Sequence, residues 1–443
     1  MIAAGQSPPY QSLRFDEDYS YLSDPAKRTE WLDKLKYIPL GKDNYYVSLG
    51  GDVRLRYETY RNAAFGYGPQ DSNGYFLGRF LLHSDWHLGR KFRVFAQLQS
   101  GVEAGRNGGP RQTDRDNLDL HQAFVEYTAY SKKDRSLTIR AGRQEVEFGS
   151  GRLVSASEGL NVRRSFDAIR PIYKQGNWIA NSLYAKLVAT KPGFFDDGVL
   201  NQQTFWGVGA IRIRPAARSG FSIYYLGLDR KAARFNQGTA REIRHTFGTR
   251  AWGTFRKLDY NYELIGQTGT FGTTHIRAWA AASDTGFNLT RKNAAVRLSV
   301  RSNAASGDRR INDDKLNSFN PLFPATAYSG TIALAGPTNV LDVAPAIRVV
   351  LHKNLTLNTD WAFYWRQSLN DGFYGINANL QRSGQGSRQR FIGGLPSVRA
   401  DYRFGRHWTF TAIYSQFFTG AFLREPPAAF GVDYFTSWMS FRF

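Results

Sequence analysis

From residue 45 to the C-terminus, apolar and polar residues alternate along the chain. Over 47–59 one parity holds Val47, Leu49, Gly51, Val53, Leu55 and Tyr57, and the other holds Ser48, Gly50, Asp52, Arg54, Arg56 and Glu58. Successive side chains of a strand point to opposite faces, so this segment predicts a strand with one apolar and one charged face. The pattern recurs over 293–301 and 355–366. At the end of the chain Phe435, Met439, Phe441 and Phe443 share a parity opposite Tyr434, Thr436, Trp438, Ser440 and Arg442. The apolar parity predicts lipid contact for Leu49, Val53, Leu55, Val296, Leu298, Val300, Phe363, Phe435 and Phe441.

The connections between these strands alternate in length. Short turns are expected at 89–91, 131–134, 175–177, 215–220, 256–257, 286–289, 352–354 and 404–406. Long loops are expected at 61–72, 104–115, 149–160, 191–202, 231–242, 267–274, 304–337, 368–395 and 420–431. Together they separate eighteen strands, with about 22 residues for each strand and its connection, room for a spanning strand of about 9–11 residues. The fold class this predicts is all-β: a transmembrane up-and-down antiparallel β-barrel of 18 strands with short periplasmic turns and long extracellular loops. A soluble sandwich or propeller also alternates, but its strands are shorter, and no blade repeat is visible here.

Residues 1–44 form a separate N-terminal segment before the barrel of 45–443. It carries Asp16, Glu17 and Asp18, and a stretch over 27–36 whose Trp31, Leu32 and Leu35 suggest a short amphipathic helix. An even strand count puts both barrel ends on the periplasmic side. The segment is therefore expected in the periplasm, packed near or into the barrel mouth through Trp31, Leu35, Tyr37 and Ile38. Residues 1–10 have neither the charged nor the apolar part of a secretory signal, so the sequence reads as a mature form.

Composition narrows the classes further. With 32 Phe, 24 Tyr and 10 Trp the chain is too aromatic to be disordered. The absence of cysteine excludes a disulfide scaffold and a thiolate metal or redox site. A window of about 18 consecutive apolar residues, which a spanning helix needs, does not occur. The formal charge of +21 is spread over alternate strand positions instead of one exposed face, so nucleic acid is not an expected partner.

Signals of chemistry are poor. His83 and His87 stand four apart, roughly 13 Å along a strand, too far to share a metal ion. Ser150 lies between Gly149 and Gly151 without the strand-turn-helix context of a nucleophile elbow. An enzyme, a cofactor and a metal are not expected. An outer-membrane barrel lipase or protease is the remote alternative.

The lumen is the place where the sequence points to function. The polar parity places inward Arg54, Arg56, Arg79, Arg93, Arg140, Arg212, Arg214, Arg244, Arg250, Arg297, Arg301, Arg366, Arg399 and Arg403. Carboxylates on that parity include Asp52, Glu58, Asp85, Glu126, Asp259, Glu263, Asp360 and Asp401. An arginine excess in a narrow, low-dielectric tube concentrates anions, and the guanidinium fork suits carboxylate and phosphate. The bland alternative is a ladder of ion pairs that only satisfies the interior. Arg143, Glu145 and Glu147 break parity, which indicates a bulge or a strand that has already ended. A loop leaving at Gly149 and Gly151 could then fold inward with Arg152, Arg163 and Arg164. The loops over 302–339 and 368–395 are long enough to plug, gate or recognise.

Several segments, in their order along the chain, resemble one family. They are Asp24-Pro25-Ala26 with Lys36-Tyr37-Ile38-Pro39-Leu40, Ser48-Leu49-Gly50-Gly51, Gly105-Arg106-Asn107-Gly108-Gly109-Pro110, and His121-Gln122-Ala123-Phe124-Val125-Glu126. Gly142-Arg143-Gln144, Gly149-Ser150-Gly151-Arg152-Leu153, 161–164, Phe319-Asn320-Pro321-Leu322-Phe323-Pro324, Trp365-Arg366-Gln367-Ser368, and Asp371-Gly372 with Tyr374 complete the set. The chain resembles the alginate export family of outer-membrane β-barrel porins, in its branch of uncharacterised proteobacterial relatives. The resemblance implies an eighteen-stranded barrel in the outer membrane of a Gram-negative bacterium. It also implies a conducted anionic polysaccharide and an arginine-rich constriction, although the family's constriction positions do not map one by one onto this chain. Implied partners are outer-membrane lipid and lipopolysaccharide, an anionic saccharide or small carboxylate, and the barrel insertion machinery acting through Phe443. A general small-solute porin with structural arginines is the alternative function.

Overall fold

The computed structural model describes residues 9–291, 294–326 and 332–443. Eighteen long strands form one closed wall. They are β1 (Tyr45–Arg61), β2 (Tyr75–Leu88), β3 (Phe92–Ala104), β4 (Asp116–Lys132), β5 (Arg135–Gln144), β6 (Phe166–Gln175), β7 (Trp178–Ala189), β8 (Gln203–Arg214) and β9 (Ser219–Phe235). They continue with β10 (Gly238–Phe255), β11 (Leu258–Phe271), β12 (Thr274–Arg291), β13 (Ala294–Ala305), β14 (Val340–His352), β15 (Leu355–Arg366), β16 (Phe391–Phe404), β17 (Trp408–Thr419) and β18 (Val432–Arg442). Each pairs antiparallel with its sequence neighbours, and β1 closes on β18 in a register running from Asp52 opposite Arg442 to Arg61 opposite Asp433. Closure leaves no edge and pairs the backbone groups strand to strand, the condition for crossing a bilayer with sheet. Among the described residues no helix is long and apolar enough to cross a membrane.

The alternation sorts side chains as the sequence predicts. Leu55, Phe80, Leu82, Phe247, Leu264, Leu298 and Val300 are exposed on the outer face, whereas Arg79, Phe95, Arg244 and Thr436 are buried on the inner one. A wall that exposes its apolar side chains and buries its polar ones is inside-out relative to a soluble sheet, as lipid requires.

Three of the expected connections are corrected. Residues 231–242 are not a long loop, because β9 and β10 run up to Asn236 and Gln237. Residues 267–274 likewise belong to β11 and β12, which turn at Gly272 and Thr273. The turn expected at 286–289 lies inside β12, where Phe287 pairs with Leu298, and residues 292–293 between β12 and β13 lie outside the described residues. At 231–242 and 267–274 the strand ends project beyond the bilayer and have no apolar face to bury, so the alternation is missing there, whereas at 286–289 Gly286 and Asn288 imitate a turn inside a strand.

The connections at the rim carrying the chain ends are short. At the other rim the loops 145–165 and 367–390 and the described residues of the 306–339 loop turn into the barrel. The first two pair with each other: Ser155 N–H donates to Phe323 O at 2.9 Å, Phe323 N–H to Leu153 O at 2.8 Å, and Ala325 N–H to Gly151 O at 2.9 Å. Phe323 packs edge-on against Phe166 of β6 and Phe205 of β8, both ring pairs 5.2 Å apart.

The N-terminal segment also enters the barrel, though not as expected. The helix over 27–36 is reduced to a 3-10 turn (Pro25–Lys27) and one helical turn (Asp33–Lys36). Asp33 takes the amide protons of Thr29 and Glu30 in place of a continued helix. Trp31 is 72% exposed. The anchor is Phe15, wedged edge-on between Phe95 of β3 and Phe124 of β4 at 6.0 and 5.4 Å. Tyr37 does stack on Tyr46 at 4.5 Å, and Ile38 pairs with Val47.

Candidate functional site

The closed wall encloses a cavity of ≈ 1030 Å³. Among the described residues it is lined by Arg54, Arg56, Arg111, Arg301, Arg348, Lys353, Arg399, Arg403 and Arg442, against Glu58, Asp114, Glu158, Asp360 and Asp401. The basic groups fall on two sides, and the sides differ in how their charge is used.

On the β1–β2 side the arginines hold the 145–165 loop. Arg54 donates to Glu158 O at 3.0 Å and to Leu160 O at 2.7 Å. Arg79, fully buried, donates to Glu158 O, to Glu158 Oε1 at 2.7 Å and to Asp52 Oδ1 at 3.2 Å. Arg56 donates to Gly159 O at 2.8 Å and pairs with Glu58. Arg442 binds Asp52 at 2.6 Å and Glu158 at 3.0 Å. Burial opposes charge on Glu158, but Arg163, Arg79, Arg442 and Arg54 outweigh it and hold its carboxyl far below the usual carboxylate range. The far end of the loop is fixed on Glu263 of β11, which accepts from Ser150 at 2.9 Å, Arg152 at 2.8 Å and Tyr224 at 2.6 Å. The inward fold expected from Gly149 and Gly151 is thus present, and Ser150 serves it as a tie.

On the β13–β16 side the guanidinium groups are less engaged. Arg399 pairs with its neighbour Asp401 at 2.8 Å. Arg301, Arg348 and Arg403 line the cavity with no carboxylate within ion-pair distance among the described residues, although Asp342 and Asp360 lie in the field of Arg301.

The remaining sequence-predicted arginines divide by partner. Arg93 is bound by Asp85 at 2.7 Å and Glu126 at 3.2 Å, and donates to Phe15 O. Arg140 takes Glu126 at 2.6 Å and lies 4.1 Å over the Phe15 ring. Arg244 is fully buried, pairs with Glu242 at 2.5 Å and supports the 306–339 loop through Ser318 O at 3.2 Å. Arg250 donates to Asn261 at 2.8 Å. Arg297 sits between Asp259 and Asp284, each at 2.6 Å. Arg366 is fully buried and donates to the carbonyls of Leu369, Asp371, Gly384, Ser387 and Gln389, so it holds the 367–390 loop and does not face the cavity.

Arg212 and Arg214 are corrected: they lie on the outer parity of β8. Arg212 stands opposite Trp178 and Phe221, and its guanidinium lies 5.4 Å over the Trp178 ring. Inward on β8 point Phe205, Gly207 and Gly209, where a Cβ on Gly209 would come within 2.7 Å of the Phe148 ring. The inward loops make this part of the interior apolar, so the polar parity no longer marks the lumen. Near the rim, arginine can instead snorkel to the interface beside a belt tryptophan.

Sequence reasoning missed Arg348, Arg442, Lys353 and Arg111 as lining residues. Arg442 stood on the polar parity and was legible. Arg348 follows Ala344, Pro345, Ala346 and Ile347, where both parities are apolar and hide it. The histidines serve separate contacts: His83 stacks on Phe95 at 5.3 Å, and His87 stacks on Tyr46 and meets Asp85 at 3.2 Å.

Solved outer-membrane proteins share this architecture. The chain is similar to opdK from Pseudomonas aeruginosa, with a TM-score of 0.60 and 9% identity over 89% of this chain and 99% of that one. It is similar to a BenF-like porin from Pseudomonas fluorescens Pf-5, with a TM-score of 0.60 and 9% identity over 90% and 99%. The Pseudomonas aeruginosa protein OccK2 (OpdF), solved in complex with glucuronate, superposes with a TM-score of 0.58 and 9% identity over 89% and 97%. At such identities the likeness shows the fold. No curated protein sequence matches the chain. The family model for alginate export matches residues 45–434, the barrel almost from end to end, and the chain therefore belongs to the alginate export family, as a channel of the Gram-negative outer membrane.

Proposed function

We propose that this channel passes anionic oligo- or polysaccharides, or small organic anions, and performs no covalent chemistry of its own. The observation that carries the reading is that Arg301, Arg348 and Arg403 on the β13–β16 side meet no carboxylate within ion-pair distance among the described residues, opposite a β1–β2 side whose arginines are occupied by the 145–165 loop. Such groups keep their forks free for a carboxylate. They also act where low-dielectric walls focus a single sign of charge. Glucuronate, the ligand of one structural neighbour, is a carboxylated sugar and fits the same chemistry. The pairing of Arg79, Arg93, Arg140, Arg244 and Arg297 favours a structural role for those five, so substrate selection falls to Arg301, Arg348 and Arg403.

In this reading the rim bearing both chain ends faces the periplasm, and the N-terminal segment occupies that mouth. The 306–339 and 367–390 loops shape the opposite entrance. Reversal potentials across a planar bilayer under a salt gradient test the proposal. Chloride is expected to be favoured over potassium, and oligouronates to block at lower concentration than neutral sugars of equal size. A cation-selective channel overturns the anion reading.

A further inference from the structure

The wall is uneven at the long-loop rim. β5 and β6 have ten residues each, whereas β4 has 17. β5 pairs with β4 only from Ala123 onward, so the first turn of β4 lacks its neighbour. The loop over 190–202 fills the gap: Phe195 N–H donates to Leu118 O at 2.9 Å, and Leu118 bridges to Phe194 in parallel.

This contact gathers carboxylates. Oxygens of Asp119, Asp196 and Asp197 all lie within 4.8 Å of one another. Asp197 N–H donates to Asp119 Oδ2 at 2.9 Å, which draws the loop aspartates onto β4. Beside them is Asp116, fully buried, whose Oδ2 accepts from Gln99 at 3.4 Å, whose Oδ1 has no hydrogen-bond partner among the described residues, and whose strongest charged neighbours are Asp197 and Asp119. Asp196 Oδ1 is covered and unpartnered as well. The ion pair to the group among the described residues is Arg143, 3.8 Å from Asp119 Oδ1, and Arg143 is already engaged by Asp167 at 2.9 Å. Burial, and the Asp119 charge beside it, push the Asp197 carboxyl up to about 6.

Three carboxylates in one place, with Asp116 in their field, repel each other, and an orphaned buried oxygen adds a desolvation cost. A hard divalent cation removes both penalties. Calcium takes six to eight oxygens at about 2.3–2.6 Å, so two ligand oxygens on opposite sides of one ion stand about 4.6–5.2 Å apart. Oxygens no more than 4.8 Å apart fit around that ion, whose flexible coordination accepts carboxylates from a loop and a strand, whereas magnesium demands near-ideal octahedral geometry. We propose that Asp119, Asp196 and Asp197, with the buried Asp116 beside them, form a calcium site that clamps the 190–202 loop to β4 and completes the wall above β5 and β6.

The test is calorimetric titration of calcium into the whole detergent-solubilised barrel stripped with EDTA, together with chymotrypsin digestion at the exposed Phe194 and Phe195. Saturable binding of one ion is expected, with cleavage slowed about tenfold once calcium exceeds its dissociation constant tenfold. Magnesium at the same concentration should protect less. Asp196→Asn, in the loop, should lose most of the binding and the protection while keeping the heat-modifiable barrel band. No saturable calcium binding by the unaltered protein overturns the site. Binding and protection that survive both Asp196→Asn and the doubly altered D196N/D197N barrel overturn its assignment to these residues.

Discussion

Arg366 and Arg348 stand on the inward parity of adjacent strands, yet they have opposite surroundings. Arg366 is closed in by backbone carbonyls of the 367–390 loop, while Arg348 is exposed to the lumen. Strand parity reports direction but not partner, so the sequence named Arg366 as lining the pore and missed Arg348. Different variants should separate them. R348S/R403S is expected to lower the chloride-over-potassium permeability ratio without changing the barrel's stability, read from reversal potentials and heat-modifiability. R366S is expected to leave selectivity near the original value and to loosen the loop, read as faster proteolytic nicking within 367–390, because five carbonyl acceptors lose their donor. On the outer face, Leu298→Arg should cost about 2–4 kcal/mol of insertion stability, measured as the loss of folded barrel in a detergent or vesicle titration. A negligible loss would place Leu298 away from the bilayer midplane.

At the scale of elements, the N-terminal segment behaves as a strap laid inside the terminal rim. Arg14 donates to Gly51 O at 2.8 Å and Phe443 O at 2.6 Å, tying the strap to the seam between β1 and β18. Arg163 of the inward loop reaches Ser12 O at 3.1 Å, so the strap touches the constriction from below. Its Asp16 lies in the field of Arg140, Arg170 and Arg93 on the same wall. If the strap limits flow, deleting residues 9–40 or replacing Phe15 by Ala should raise single-channel conductance in a bilayer. Equal conductance would leave it as a tether. The sequence announced this element and its acidic cluster but misplaced the anchor. Trp31 was the largest apolar side chain of a helix-like period, whereas Phe15 sits among polar residues and finds its pocket only through Phe95 and Phe124 on other strands. The barrel itself was legible because period-2 alternation is local. It failed at 231–242 and 267–274, where strands outrun the lipid, at 286–289, where Gly286 and Asn288 imitate a turn inside a strand, and at Arg212, where inward loops made the interior apolar.

Across the whole molecule, the formal charge of +21 is not itself the origin of selectivity, because charges outside the lumen are screened by the bulk solution. What acts on a permeating ion is the sum over the cavity, in which Arg301, Arg348, Arg399, Arg403 and Lys353 on one side exceed Asp360 and Asp401. A summed field and a single tight site respond differently to salt. The Debye length falls from about 10 Å at 0.1 M to about 3 Å at 1 M, so a field spread over several arginines collapses over that range. A site that grips its anion through bidentate hydrogen bonds is affected less, since those contacts are short. The chloride-over-potassium ratio should therefore fall steeply between 0.1 M and 1 M salt, while block by an oligouronate weakens more gradually. A permeability ratio that holds constant over that range would assign selection to one local contact, and would make a single substitution among Arg301, Arg348 and Arg403 enough to abolish it.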